Sequence, residues 1–310
     1  MKKENKVVIT GGAGFIGSHI ADELVSQGTQ VIIIDNLSTG SLENIRHLTT
    51  TRQVEFICDN ILNLQLLQKL FNGVDYVFHE AAIPGVPQSI DNPLDSNEIN
   101  ITGTLNVLIA AKNNRVRKVI FASSSAVYGN EPILPKKESA ILNLDSPYAA
   151  TKLAGEHYCE VFNRVYGLST ASLRYFNVYG QRQNPDSEYA AVIPKFIDRI
   201  KRGEKPQIYG DGEQTRDFVY IKDVVAANIL IAQSDAVGVF NIGSGKKVTL
   251  NTLLGMITRL LNRSSIKPLY MAARPGDIKH SFADITKAQN ATGYRPKYNL
   301  LTGLKEMLSM

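Results

Sequence analysis

A tyrosine and a lysine stand four residues apart in "SPYAATKLAGE", Ser146 to Glu156, directly behind a proline. On a helix that spacing puts both side chains on one face, with Cβ atoms about 5–6 Å apart. An ammonium next to a phenol favours the phenolate, so Tyr148 and Lys152 could form a general base and the group that tunes it. Tyrosine ordinarily ionises near pH 10, so such a base needs its phenol pulled well down. A tyrosine–lysine pair without context is more often packing and solubility. Its company in the chain decides.

That company begins with "VVITGGAGFIGSHIADEL": a β-branched run, then Gly11, Gly14 and Gly17, then an amphipathic helix. Glycines there let the backbone turn tightly and approach a pyrophosphate, which rests on the amides of the helix N-terminus. The next apolar run, "QVIIID", ends in Asp35, eighteen residues beyond Gly17. A carboxylate at that place accepts from both adenosine ribose hydroxyls and repels a 2′-phosphate, and no arginine follows directly in "DNLSTG". These residues predict NAD rather than NADP.

The elements that must position these groups follow from the hydrophobic pattern. Strand-like runs recur at Lys6–Thr10, Gln30–Ile34, Val54–Ile57, Tyr76–His79, Lys118–Ala122 and Ser169–Arg174, with helix-length stretches such as Gly14–Ser26, Leu64–Phe71 and Asn97–Asn113 between them. Alternation of that kind predicts an α/β fold built on a doubly wound parallel sheet of the Rossmann type. From about Gly180 the chain carries more Gly, Pro and polar turns. This predicts a dinucleotide-binding domain over residues 1–180, to which some later segments return, and a smaller α+β lobe over 181–310 that holds a second ligand in the cleft between them.

Composition narrows the classes. In 310 residues, 44% hydrophobic and 20% charged is ordinary globular usage. The net charge of +5 is spread along the chain without a basic stripe, so nucleic acid is not the expected partner. Two cysteines, Cys58 and Cys159, make no disulfide framework and fit a reduced cytoplasmic setting. The apolar stretch near the N-terminus is broken by glycines and followed by Asp22 and Glu23, unlike a signal peptide, and no run reaches the eighteen or so residues of a membrane span. The five histidines, His19, His47, His79, His157 and His280, lack ligand spacing, so no metal is expected, and His79 reads as buried structure.

Taken in order, "TGGAGFIG", "DNLSTG", "HEAA", "SSSAVYG", "YAATK", "RYFNVYG", "TRDFVYIKDV" and "RPGD" resemble the extended short-chain dehydrogenase/reductases, and among them the nucleotide-sugar 4-epimerases. The resemblance runs from about Lys6 almost to the C-terminus. It implies that Tyr148 takes the proton of a sugar hydroxyl while the carbon beneath gives hydride to NAD⁺, that Lys152 and the cationic nicotinamide stabilise the phenolate, and that Ser124 holds the same oxygen. It further implies a cofactor site from Gly11, Gly14, Phe15, Ile16, Gly17, Asp35, Asn36, Ser38 and Gly40. Asp59 and Asn60 would lie near the adenine, Ala81, Ala82, Ile83 and Tyr175 would line the channel, and Asn100 would steady the central helix.

For the substrate, the resemblance implies a UDP-sugar. Arg216 and Arg274 would grip the diphosphate, Asp277 would reach ribose, Asn177 would touch diphosphate or sugar, and Val192 and Tyr209 would complete the site. Ser281, four residues after Asp277, stands at a gatekeeper position where a small side chain leaves room for a 2-acetamido group, and Ser125 would face it. "SSSAVYG" is one residue shorter than the form of many UDP-galactose epimerases, so Ser124 and Ser125 both remain for the catalytic hydroxyl, and counting back from Val127 favours Ser124. Related dehydratases and decarboxylases carry carboxylates where this chain has Ser125 and Ala126. The expected activity is therefore 4-epimerisation of UDP-N-acetylglucosamine/UDP-N-acetylgalactosamine and of UDP-glucose/UDP-galactose, by a homodimer paired through the Tyr148 helix and the one before it. UDP-glucuronate 4-epimerisation, dehydration and a non-catalytic NAD-binding regulator are the alternatives.

Overall fold

Each of the six apolar runs forms a strand, and all are parallel: β1 (Lys6–Thr10), β2 (Gln30–Ile34), β3 (Val54–Ile57), β4 (Tyr76–His79), β5 (Lys118–Ser124) and β6 (Ser169–Tyr175). The computed structural model describes residues 5–184, 191–273 and 278–309. The chain continues through β7 (Asn177–Tyr179), β8 (Gln207–Tyr209), β9 (Thr215–Arg216) and β10 (Phe218–Tyr220) before β11 (Gly238–Ile242) returns to pair with β6. The resulting seven-stranded sheet has the order β11-β6-β5-β4-β1-β2-β3.

Both faces of this sheet are covered, which is why its strands read as continuous apolar runs. Val7, Ile9, Val31, Ile33, Phe78 and Ile120 point to one face and into one core cluster. Their neighbours Val8, Ile32, Ile34, Val77, Val119 and Phe121 point into another. The strand order reverses at β1, flanked by β2 and β4, and the carboxyl ends of strands at such a point form the ligand crevice of doubly wound sheets.

The helices explain the rest of the positioning. Ser146 caps the helix Pro147–Tyr166 by accepting from the Ala149 amide at 3.1 Å, and Pro147 fills the first turn, where a missing N–H costs nothing. The stretch expected as one helix over Asn97–Asn113 starts earlier, at Pro93, and contains a π-helical segment, Glu98–Gly103, before Thr104–Asn113 resumes the α form. Periodicity alone does not reveal such a local widening. Beyond residue 180, short pairings dominate: β7 with β10, β9 with β12 (Val248–Thr249) and β8 with β13 (Leu269–Met271). No described helix is long and apolar enough to cross a membrane.

Candidate active site

The glycine loop leaves β1 through Gly11, which adopts φ +70°. A Cβ on Gly11 would lie 2.6 Å from the Ala81 amide nitrogen, and one on Gly17 would lie 2.4 Å from the Gly11 carbonyl oxygen. The loop therefore lies against the segment that follows β4 on one side and against the first turn of its helix, at Gly17, on the other. Gly14 caps the helix Phe15–Ser26 without a side chain, so the opening turn with Phe15 and Ile16 presents bare main chain.

Asp35 closes the crevice from β2. Its carboxylate accepts from the Ala13 amide at 3.0 Å and from the Leu37 amide at 2.8 Å, and burial pushes its ionisation upward against those bonds. The loop beyond it folds back: Asn36 accepts from the Ser38 amide at 3.1 Å, and the Ser41 amide reaches the Ala13 carbonyl at 3.0 Å. Gly40 packs so closely on Asp35 that a Cβ would sit 2.9 Å from the carboxylate. After β3, Asp59 accepts from the Asn60 amide at 2.6 Å, and Asn60 from Leu62 at 3.0 Å, which makes a tight polar turn at the same edge.

Asn100 joins three parts of the site. Its side chain accepts from the Ile83 amide at 2.8 Å and donates to the Ile83 carbonyl at 3.2 Å and to Thr151 Oγ1 at 3.0 Å. Thr151 in turn donates to the Tyr148 carbonyl at 2.9 Å, and the Tyr148 amide donates to Ser89 Oγ at 2.9 Å. The segment Ala81–Ile83 and the helix carrying Tyr148 are thus tied through one buried amide in the π-helical segment.

Tyr148 and Lys152 share a face as their spacing requires, with the ammonium 5.8 Å from the phenol ring centroid. Ser124 ends β5 near the Tyr148 hydroxyl, where it lowers the phenol, and accepts from the Ala126 amide at 3.1 Å. Burial raises the Tyr148 phenol to about 12, which the Ser124 hydrogen bond lowers in part and the Glu80 carboxylate raises further. Burial brings Lys152 down to about 8, with Glu80 opposing, and its ammonium donates to the Ala122 carbonyl at 2.8 Å. The protein by itself does not acidify this phenol. Desolvation dominates here, a consequence of packing that spacing does not carry.

Beneath the pair, Ser123 donates to Glu156 at 2.5 Å and Arg174 clamps the same carboxylate at 2.9 and 2.7 Å, bolting the helix to β5 and β6. His79 is structural, as expected. The Thr104 hydroxyl donates to the Asn100 carbonyl at 2.6 Å, so it accepts from Nε2 at 2.8 Å and leaves Nδ1 to accept from Thr10 at 2.7 Å. Burial lowers His79 to about 3, and it stays neutral. Among the described residues, no group of His, Cys, Asp or Glu is arranged to hold a metal ion.

A cavity of about 530 Å³ brings together Asn177, Val192, Tyr209 and Arg216 from four separate elements. Its wall also holds Gln214, whose amide nitrogen donates to the Tyr209 carbonyl at 2.7 Å while its buried Oε1 has no partner among the described residues. The Arg216 guanidinium donates to the Thr215 carbonyl at 2.9 Å. Ser281 is buried beside this strand, its amide donating to the Thr215 carbonyl at 3.1 Å, but neither it nor Ser125 lines the cavity. Arg274 and Asp277 lie outside the described residues. A second cavity, of about 680 Å³, opens at the far end of the helix under Cys159 and Ser172, away from Tyr148.

Sequence reasoning passed over Glu80 and Asn228. The Tyr175 hydroxyl donates to Glu80 Oε1 at 2.9 Å and accepts from Asn228 Nδ2 at 2.9 Å. Glu80 stood in the quoted "HEAA", and an acidic residue at the end of a buried strand was the available signal.

The profile of the NAD dependent epimerase/dehydratase family matches residues 7–243. The chain belongs to that family. It is an extended short-chain dehydrogenase/reductase whose cofactor is NAD. The glycine cradle, in which a Cβ at Gly11 or Gly17 would collide with main chain, and the carboxylate of Asp35 at the end of β2 fit that dinucleotide. The chain is 41% identical over 305 residues to the putative UDP-glucose 4-epimerase of Methanocaldococcus jannaschii, covering 98% of this chain and 97% of the relative. It superposes with a TM-score of 0.95 and 47% identity on the UDP-N-acetylglucosamine 4-epimerase from Methanobrevibacter ruminantium M1 in complex with UDP-N-acetylmuramic acid, covering 99% of this chain and 98% of that one. For the UDP-glucose 4-epimerase of Thermotoga maritima with UDP-glucose, the TM-score is 0.92 at 39% identity, covering 98% and 97%.

Proposed function

We propose that this enzyme is an NAD-dependent UDP-sugar 4-epimerase that interconverts UDP-N-acetylglucosamine with UDP-N-acetylgalactosamine and also accepts UDP-glucose and UDP-galactose. The observation that carries this reading is the grouping of Ser124, Tyr148 and Lys152 at the carboxyl edge of the sheet, with no carboxylate at Ser125 or Ala126. Elimination or decarboxylation would call for one. Hydroxyl-to-ketone oxidation and its reversal need only a base, a hydroxyl holder and a hydride acceptor.

Tyr148 removes the proton from the C4 hydroxyl, Ser124 holds that oxygen, and Lys152 supplies fixed positive charge beside the phenol. NAD⁺, when bound, supplies the hydride acceptor and, being cationic, the missing push toward the phenolate. The 4-keto sugar then turns about its diphosphate, the hydride returns to the opposite face of C4, and Tyr148 gives its proton to the C4 oxygen, which completes the epimer. Arg216 provides a charge-assisted partner for the diphosphate, and the orphaned Gln214 Oε1 provides an acceptor for a base N–H. The small side chains of Ser281 and Ser125 support room for a 2-acetamido group, as does likeness to a relative that is itself a UDP-N-acetylglucosamine 4-epimerase.

Incubation of the purified protein, without added cofactor, with UDP-glucose, UDP-N-acetylglucosamine, UDP-glucuronate and dTDP-glucose, read by NMR, tests this. Inversion at C4 of the acetylated and non-acetylated UDP-hexoses is expected. Turnover of UDP-glucuronate alone, or loss of water or carbon dioxide, would sink the reading. A homodimer is part of the proposal: Ile90, Leu94, Val165 and Tyr166, on the helices Val86–Asp91, Pro93–Asn97 and Pro147–Tyr166, are exposed apolar side chains that a second copy could cover. Sedimentation at monomer mass would remove that part.

A further inference from the structure

One ionisable group beside the chemistry has no role in the mechanism above. Glu80 follows β4 directly and is half-buried, on the edge of the sheet where the glycine loop, Ala81 and Tyr175 meet. It is not a surface carboxylate that happens to point inward. Tyr175 donates its hydroxyl hydrogen to Oε1 at 2.9 Å, Asn228 Nδ2 donates to that hydroxyl at 2.9 Å and to the Val224 carbonyl at 2.9 Å, and Asn228 is fully buried. Three elements, β6, β4 and the helix Ile221–Gln233, are thereby committed to orienting one carboxylate.

Its neighbours make the placement matter. Burial pushes the Glu80 carboxyl up to about 7, opposed by the Tyr175 hydrogen bond and the Lys152 charge, so that it is ionised at pH 8; its charge in turn raises the Tyr148 phenol and the Lys152 ammonium. The charged and titratable groups that face it are Lys152 and Tyr148 from the helix Pro147–Tyr166 and Tyr175 from β6. A negative charge here opposes the formation of tyrosinate, so if acidifying the base were the only demand on this site, a neutral residue would serve better. A carboxylate earns its place only if another group needs it.

We propose that Glu80 is the charge-setting residue of the cofactor cleft: its carboxylate, held by Tyr175 beside the glycine loop, makes the protein favour the cationic, oxidised cofactor over the neutral, reduced one. This rests on the reading of Tyr148 and Lys152 as the proton-handling pair. It has a functional consequence for an enzyme that must return every hydride. If the keto sugar escapes, reduced cofactor left in the cleft is a dead end, and a fixed negative charge makes that state less favourable.

The test compares Kd for NAD⁺ and for NADH, each titrated at pH 8 into full-length protein stripped of nucleotide, for wild type, Glu80→Gln and Glu80→Asp. Glutamine is nearly isosteric and its amide oxygen still accepts from Tyr175, so the fold is retained, and aspartate keeps the charge. In Glu80→Gln the ratio Kd(NADH)/Kd(NAD⁺) is expected to fall about tenfold, the size of a coupling worth one pKa unit. In Glu80→Asp it should remain close to wild type. An unchanged ratio in Glu80→Gln overturns the proposal, whether both affinities hold or both weaken together, the second pattern marking a purely structural group. A drop in Glu80→Asp equal to that in Glu80→Gln overturns it too. Full turnover by Tyr148→Phe would instead remove the proton-handling reading, an outcome distinguishable because the Kd ratio does not depend on turnover.

Discussion

Around the glycine loop the cleft is shaped by main chain: amides of Ala13, Leu37 and Asn60 bonded to carboxylates, and glycines where a Cβ would strike a carbonyl or an amide. Around the cavity of Asn177, Val192, Tyr209 and Arg216 it is shaped by side chains on short strands and helices, several of them half-exposed. The difference teaches how the fold divides its labour. A dinucleotide is held the same way in every turnover, so rigid backbone suffices. On the proposed reading, a sugar that must present both faces of C4 is held by its nucleotide end, through side chains that can be exchanged without disturbing the sheet.

If that division holds, changes in the two regions should separate into different measurements. The largest effect belongs to the chemistry between them. Tyr148→Phe should fold and bind NAD yet lose turnover by about 10²–10⁴-fold, the usual worth of a general base. The pH behaviour sharpens this. With burial holding the phenol at about 12, it stays protonated below that value in the cofactor-free protein. NAD⁺ adds a positive charge and therefore favours the phenolate, so ionisation followed near 295 nm should begin at lower pH in the NAD⁺-bound form. Identical titrations of free and NAD⁺-bound protein would leave the base without its source of acidity.

Gly17→Ala comes next. Its Cβ would lie 2.4 Å from the Gly11 carbonyl oxygen, which is main chain and cannot rotate away. Overpacking of this kind costs about 1–3 kcal/mol or more, and the shift moves the helix terminus off the pyrophosphate. Thermal unfolding and NAD binding should both suffer, and a variant that binds NAD as wild type would show that the cradle tolerates a displaced loop.

These contrasts also explain what could be read beforehand. β1 to β6 were legible because strands buried on both faces leave uninterrupted apolar runs, and the glycine loop because close backbone approach admits no other residue. β11, "GVFNI", was missed: it is five residues long with a buried Asn241 that bonds Tyr128, and it joins the sheet far along the chain from β6. The π-helical segment under Asn100 and the upward shift of Tyr148 arise from tertiary packing, which local spacing does not encode. Of the residues expected to hold the substrate, four line one cavity although they lie on four different elements; only the family pattern links them, since no periodicity in the chain does.

On the side-chain half, Arg216→Ala should raise KM for the nucleotide sugar by about 10–100-fold, as expected for losing a charge-assisted hydrogen bond worth about 1.5–3 kcal/mol. NAD binding and thermal stability should hardly move. Isothermal titration with UDP alone separates loss of nucleotide grip from damage to the chemistry. A matching fall in NAD affinity would mean that the two regions are one cooperative unit.

The smallest effect is the most selective. Ser281 is buried next to Thr215, so a larger side chain there has to displace a neighbour or enter open space. Because the nucleotide grip lies elsewhere, Ser281→Tyr should spare UDP-glucose turnover and cut that of UDP-N-acetylglucosamine by about tenfold, within the range that pocket shape alone can discriminate. The ratio of the two kcat/KM values is the quantity to follow, since a general loss of packing would lower both together. Equal losses would mean that the tyrosine disturbs β9 instead of narrowing the sugar pocket. An unaltered ratio with full activity would place the acetamido group away from Ser281 and leave Ser125 to receive it.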